Sequence, residues 1–446
     1  MSVLPDLHLH YVEACQNLSQ PENPFIARVL QEADKNDEIR STKGITLKLA
    51  GNNHLVPVPR VTDDDLGVLV SVLGQAAFVT GLDLAYNLLT DAGAKTMATF
   101  LQENSTLHYL NLMFNDIGTS GAELIAGVLH SNQSLVHLRM TGNKIGNQGG
   151  MFFASMLKIN SALEKLDLGD CDVGLQCLIA TAIALTQNKS LKAINLNRPL
   201  LPSQQEEATV HIARMLRSNS SLVELHLGKH EMKNFGVKRL CEALYENSSL
   251  RYLDLSCNNI IYDGVEFLGE LLKRNQTLEI LDLSANRIED VGAIYLSEAL
   301  ATRNRTLQAL SIVSNNITGK GLVALAQAMH SNMTLSHIYI WGNKIDRSTC
   351  VSLHRSAEEV PRVKSPVSLT AGILGADGGG PPAAGLHRRG SLRGGWGGSP
   401  GRAVPRAGQA PLLEPALRRR GPRRRQRQPG DRACLRVFLL DLAVPC

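Results

Sequence analysis

A leucine, two residues, a leucine or isoleucine, one residue, another leucine, then an asparagine or its stand-in: this phrase returns along the chain at near-constant spacing. Leu107, Leu110, Leu112 and Asn115 show it cleanly, as do Leu250, Leu253, Leu255 and Asn258. Its first positions fall at Val79, Leu107, Leu135, Leu163, Leu191, Leu222, Leu250, Leu278, Leu307 and Leu335, 28 residues apart except for one gap of 31 and one of 29. A fixed period of this length constrains the fold more than any local motif. Each unit is too small to bury its own apolar face and must stack on its neighbours.

Inside each unit the spacing of apolar residues changes. Leu110 and Leu112 alternate with Asn111 and Met113, which predicts a short strand with one face inward. Gly121 follows, and glycine returns as Gly93, Gly149, Gly236, Gly264, Gly292 and Gly321. Behind it come pairs four apart, such as Ile125 and Leu129 or Leu268 and Leu272, the buried stripe of a helix. Stacked strands sit about 4.8 Å apart, whereas helices need about 8–10 Å, so the stack must curve with its strands inside. The fold class predicted is an α/β solenoid, a horseshoe with an inner parallel β-sheet, outer helices and about ten to eleven repeats. The asparagine after each strand is expected to bond the adjacent turn, a ladder interrupted at Cys171, Pro199 and His230.

Three regions follow from this pattern. Residues 1–44 read as a helical flank that caps the stack, with Asn23-Pro24 starting a helix over Phe25, Ile26, Val29 and Leu30. The solenoid occupies 45–360. It is broken by a proline-containing insertion from Gly51 to Arg60 and an irregular turn from Asn197 to Glu207, where Ser203 and Glu206 have capping-box spacing. Beyond it, 361–446 holds 15 glycines and 11 prolines and carries 16 Lys/Arg against 4 Asp/Glu. That composition predicts a disordered tail of net charge +12, so with +5 for the whole chain the rest is −7. Its densest charge is the run Arg418, Arg419, Arg420, Arg423, Arg424, Arg425 and Arg427. Such a run serves as a nuclear or nucleolar address or a nucleic-acid patch; equally, it is an inert solvated segment of a GC-rich C-terminus.

The start of the chain lacks the charged and apolar segments of a signal peptide, and no stretch approaches the roughly 18 apolar residues of a membrane span. A soluble, intracellular protein is expected, with its eight cysteines reduced, since none has zinc-binding spacing. Asn-x-Ser/Thr triplets at Asn104, Asn132, Asn188, Asn219, Asn247, Asn275, Asn304 and Asn332 each lie just before the next repeat's first leucine. They therefore belong to the turn and say nothing about glycans.

The 28-residue period with a helix in every unit resembles the ribonuclease-inhibitor subtype of leucine-rich repeats. Proteins of that subtype include ribonuclease inhibitor, the Ran GTPase-activating protein, tropomodulin and the sensor ends of innate immune receptors. The stretch from His10 to Arg60 is similar to a narrower group within it. That resemblance implies a cytoplasmic, nuclear and nucleolar protein linked to stem-cell maintenance and differentiation.

Between the inward leucines, two columns of residues face into the curve. One runs Gly81, Tyr109, His137, Lys165, Ala193, Glu224, Tyr252, Ile280, Ala309, His337; the other runs Asp83, Asn111, Arg139, Asp167, Asn195, His226, Asp254, Asp282, Ser311, Tyr339. Asp254 and Asp282 are expected side by side, but on an open, wet surface that leaves their acidity ordinary, and His137 and His226 read as surface residues. No phosphate loop, nucleophile elbow or zinc spacing occurs in the sequence. Aromatic residues Tyr109 and Phe114 near one end, and His337, Tyr339 and Trp341 near the other, flank acids in a pattern that suits an interface. The expectation is a non-enzymatic scaffold binding a basic protein on Tyr109, Phe114, His137, Arg139, Asp167, Glu224, Tyr252, Asp254, Asp282, His337, Tyr339 and Trp341. No cofactor, metal, membrane or small-molecule substrate is expected, and nucleic acid only through the tail. A small-GTPase regulator is the alternative implied by the Ran-activating relative, although that relative ends acidic and this chain ends basic.

Overall fold

Among the described residues, eleven short strands lie in sequence order in one parallel sheet, each inner strand paired with the one before it and the one after. They are β1 (Ile45–Lys48), β2 (Val79–Asp83), β3 (Tyr109–Asn111), β4 (His137–Arg139), β5 (Lys165–Asp167) and β6 (Ala193–Asn195). Then follow β7 (Glu224–His226), β8 (Tyr252–Asp254), β9 (Ile280–Asp282), β10 (Ala309–Ser311) and β11 (His337–Tyr339). The computed structural model describes residues 6–351 apart from 36–43, 53–57, 203–205, 345, 347–348 and 350. The chain divides into Met1–Arg362 and Val363–Cys446. The second unit lies outside the described residues, and with it the Arg418–Arg427 run. So do Cys350, the middle of the Gly51–Arg60 insertion, and Ser203.

The α/β leucine-rich-repeat solenoid is thus as the period predicts. Leu110, Leu138 and Leu166 stand in register on neighbouring strands, and each is buried. One continuous apolar core runs from Leu7 to Leu335. Gly121 shows why the helix layer needs its glycine: a Cβ there would fall 2.7 Å from Ile117 Cγ2 and 2.8 Å from Ala94 Cβ of the preceding helix.

Two asparagine ladders hold consecutive units together. In the first, Asn258 Nδ2 donates to Leu227 O (2.9 Å) one repeat back, while its Oδ1 accepts from the backbone N–H of His230 and Met232 (both 3.0 Å). Asn115, Asn143, Asn286, Asn315 and Asn343 reach back in the same way. The expected interruption is narrower than the sequence suggests. Cys171 Sγ reaches Met140 O at 3.2 Å, and His230 Nε2 reaches Leu196 O at 2.9 Å. Each replaces the missing amide with a donor of its own, so of the three positions only Pro199, which has no donor, leaves a gap.

The second ladder is made by the asparagines of the Asn-x-Ser/Thr triplets. Asn219 Nδ2 donates to Leu185 O at the end of the preceding repeat's helix (2.7 Å), and its Oδ1 accepts from Leu222 N (2.8 Å). The same pair of bonds returns at Asn132, Asn188, Asn247, Asn275, Asn304 and Asn332. The triplets are therefore turn-forming, as expected. Their amides close helix carbonyls that would otherwise lack partners.

The sequence gives no hint of a third regularity. The residue before each first-ladder position is left-handed: Tyr86, Phe114, Asp170, Arg198, Lys229, Cys257, Ala285 and Ser314 have φ between 51° and 60°. Each non-glycine there costs roughly 1–2 kcal/mol, which the ladder bonds on the next residue offset. Helix starts are also stitched across repeats. Glu206 Oε1 accepts from Lys233 N (2.6 Å) and Gly236 N (3.1 Å) of the following unit, while the Ser203 half of the expected capping box lies outside the described residues. Asp290 does the same for Thr318 N and Gly321 N.

At the N-terminus, α1 (Leu7–Asn17) and α2 (Pro24–Asp34) cover the first repeat. Asn23 caps α2 as predicted and also donates to Asp65 Oδ2 (3.1 Å), while the buried Tyr11 hydroxyl accepts from Asn23 N. Cys15, Cys171, Cys177 and Cys241 are buried free thiols, and burial pushes Cys177 up to about 11. Cys257 is free and exposed. Among the described residues no helix is long and apolar enough to cross a membrane.

Candidate functional site: the strand face

Parallel register carries the two columns across the sheet, with His226, Asp254 and Asp282 in one row and Glu224, Tyr252 and Ile280 in the other. The expected site residues fall into three clusters. Tyr109 and Tyr339 stand eight strands apart, roughly 38 Å along the sheet. The face therefore suits a macromolecule and does not close around a small ligand.

At β2–β5 acids and bases are cross-paired. Arg139 Nε lies 3.6 Å from Asp167 Oδ2, a charge contact in which Nε makes no hydrogen bond. Burial lifts the Asp83 carboxyl above its ordinary range, against the pull of Arg139 and Lys48. Tyr109 and His137 meet edge to face at 6.4 Å, and burial followed by the Lys165 charge lowers the His137 pKa. On the ridge beside them Phe114 stacks on Tyr86 with centroids 4.7 Å apart, a partner the sequence analysis missed. The signal was available: Tyr86 lies one period before Phe114. Gly142 leaves room for this ring, since a Cβ there would collide with Phe114.

At β7–β9 the arrangement overturns two expectations. His226 is no surface residue: it is buried, with Nε2 2.6 Å from Glu224 Oε1 and Nδ1 3.3 Å from Asp254 Oδ2. Burial works against its proton, but the bonds to Asp254 and Glu224 outweigh it and push the pKa up to about 9. Nor are the two aspartates ordinary. Burial would raise Asp254, yet His226 and Ser256 hold it down at about 2. Asp282 moves the opposite way, raised by burial and by the neighbouring Asp254 charge. The open curve is wet only at its surface, and adjacent side chains dry these groups. Asp254 accepts from His226, from Asn197 Nδ2 (3.0 Å) and from Ser256 N (2.8 Å), so its lone pairs are committed to holding structure and not to proton abstraction. Asn197 lies 57 residues away, in the irregular turn. The His226 ring packs edge-on to Tyr252 at 4.8 Å.

At β11 the rings of His337 and Tyr339 lie 6.4 Å apart and nearly parallel, and Trp341 is 52% exposed. Among the described residues, no group of three or more histidine, cysteine, aspartate or glutamate side chains could hold a metal ion.

A family model described as "Leucine Rich repeat" matches residues 103–126, 131–154, 246–269, 274–297 and 303–326. The chain is 60% identical over 346 residues to leucine-rich repeat-containing protein 34 of Homo sapiens, covering 78% of this chain and 75% of that protein. This chain belongs to the leucine-rich repeat-containing protein 34 family. The Mus musculus member is 56% identical over 346 residues, covering 78% of this chain and 83% of that protein. Among solved structures, an internalin of Listeria monocytogenes aligns with a TM-score of 0.40 at 15% identity over 82% of this chain and 96% of that one, too loose a likeness to carry function. The matched repeat units stop at residue 154 and resume at 246. That interval contains Cys171, Pro199 and His230, and it also supplies Asn197, Glu224 and His226 to the central cluster.

Proposed function

We propose that the protein is a non-enzymatic scaffold that binds a basic protein partner on its strand face. The observation that carries this reading is the uneven charge along the face. Strands β1–β5 set Lys48, Arg139 and Lys165 against Asp83 and Asp167, whereas β7–β9 set Glu224, Asp254 and Asp282 against His226 alone. The exposed aromatic Trp341 beyond β11, and Phe114 on the opposite side of the acids, supply the anchors such an interface needs. Its setting is the cytoplasm and nucleus, the nucleolus included, in cells that maintain or leave the undifferentiated state. The Arg418–Arg427 run is its address there and its route to RNA.

The test is affinity capture with the full chain, comparing wild type, Asp282→Lys and Trp341→Ala by mass spectrometry. Proteins retained by the wild type and lost from both variants support the reading, and identical retention by all three would overturn it. Deleting residues 418–427 should lower nuclear accumulation and RNA retention; no change in either would remove the tail from the account.

A further inference from the structure

We infer that the β7–β9 face is a guanidinium site, which takes an arginine side chain of the partner against Tyr252 with Asp282 and Glu224 as its acceptors. This rests on the scaffold reading and makes it chemically specific. Tyr252 is the half-buried centre of the cluster. Glu224 stands beside it on β7, Asp254 lies two residues on, and Asp282 is diagonal to it on β9. Burial first, and then the charges of Asp254, Asp282 and Glu224, push its phenol far above the ordinary range.

The acceptors differ in how far they are already satisfied. Asp254 is saturated by His226, Asn197 and Ser256 and contributes field alone. Glu224 is 1% exposed, gives Oε1 to His226, and leaves Oε2 without a hydrogen-bond partner. A buried carboxylate oxygen with no donor is costly and unusual, and an arriving N–H removes that cost. Asp282 gives Oδ1 to the backbone and hydroxyl of Ser284, and burial followed by the neighbouring Asp254 charge raises its pKa, a cost that a cation placed against it removes. Asp282 and the accessible part of the Tyr252 ring form the entrance, and Glu224 is the inner acceptor.

The cluster favours arginine over the other cations. Both ring nitrogens of His226 are engaged by carboxylates, which leaves no nitrogen for a metal. A guanidinium is flat, stacks on an aromatic face, and spreads five N–H groups over separate acceptors, whereas a lysine ammonium is compact and strongly hydrated. Acceptors on either side of a ring fit the first and not the second.

The experiment measures anisotropy of fluorescein-labelled nine-residue peptides of alternating arginine and glycine against the full-length protein, with lysine and citrulline counterparts. The arginine peptide should bind at least about tenfold more tightly than the lysine one, and the citrulline peptide should bind more weakly still. Asp282→Asn and Tyr252→Leu should each abolish the arginine preference while the far-ultraviolet circular dichroism stays that of the folded protein, Glu224→Gln should reduce it, and Tyr252→Phe should keep it. Equal binding of arginine and lysine peptides would overturn the guanidinium site while leaving the scaffold reading standing. Binding of neither peptide would also overturn it. Capture that still depends on Trp341 would then show that the partner docks elsewhere on the face.

Discussion

On β4–β5 and on β7–β8 the same frame carries a cation bonded to an acid one strand over, and the two pairs have opposite characters. The Arg139 side chain is 36% exposed and only approaches the buried Asp167, at 3.6 Å, with its Nε making no hydrogen bond, so the pair is loose and one of its members stays partly wet. His226 is held by two buried carboxylates and takes its charge from them. Nothing in the backbone distinguishes the two places. A repeat sets where side chains stand, and burial then decides whether a charge pair is decorative or structural.

The largest expected effect separates the two pairs directly. His226→Ala leaves Glu224 and Asp254 buried with no cation and should cost about 3–5 kcal/mol in denaturant unfolding, the loss expected when one partner of a buried pair is removed. Arg139→Ala should cost about 0–1 kcal/mol. Comparable losses in the two variants would erase the distinction between the clusters.

Acidity sharpens the comparison, because two imidazoles four residues apart pull stability in opposite directions. His226 has a folded pKa of about 9, above the ordinary 6.5, so its contribution is complete below pH 6.5 and is lost as pH rises towards 9. Burial lowers His230 to about 4 against the pull of the Leu196 bond and the Asp254 charge, so its contribution is complete above pH 6.5 and is lost as pH falls towards 4. Asp254, held at about 2, adds a further loss as pH falls from 3.8 through 2. Stability should therefore peak near pH 6.5 and decline by up to about 3 kcal/mol on each side. Unfolding free energies measured from pH 4 to 9.5 check this, and His226→Ala should flatten the alkaline limb. A steeper alkaline limb in that variant would contradict the assignment.

The frame should respond alike wherever it is cut. Asn258→Ala removes the donor for Leu227 O and the acceptor for His230 N and Met232 N, and should cost about 2–3 kcal/mol. Asn115→Ala, five repeats before it, should match it to within about 1 kcal/mol by thermal or denaturant unfolding. A large difference would mean that the central cluster leans on its ladder rung more than the rest of the sheet does.

The frame was readable in advance because its signals repeat within the reach of one unit: leucines at fixed spacing, a glycine before each helix, an asparagine in each turn. The polar chemistry of the strand face was not. Asn197 and Asp254 are bonded across 57 residues, and Glu224, His226 and Asp254 are meaningful only as neighbours in the stack. Taken one at a time in the columns, Asp254 and Asp282 look like equivalent surface acids. Their opposite shifts come from which of them faces an imidazole. The left-handed turn residue was equally hidden, since only Gly142 and Gly342 carry the glycine that would announce it.

The smallest expected effect tests whether His230 is a ladder member or a breach. As a breach, its replacement by the consensus residue would strengthen the stack considerably. As a substitute, its Nε2 already supplies the bond to Leu196 O, and His230→Asn should change stability by less than about 1 kcal/mol at pH 7. Two small terms oppose each other there. Asparagine removes the buried Nδ1 that has no partner, but it fills less of the space the ring occupies. The decisive readout is the acid limb: with no imidazole left to charge on unfolding, the decline between pH 6.5 and 4 should flatten in His230→Asn and persist in His226→Ala. If both variants keep it, the decline belongs to other groups, and the pairing of the two imidazoles as opposed titrations fails.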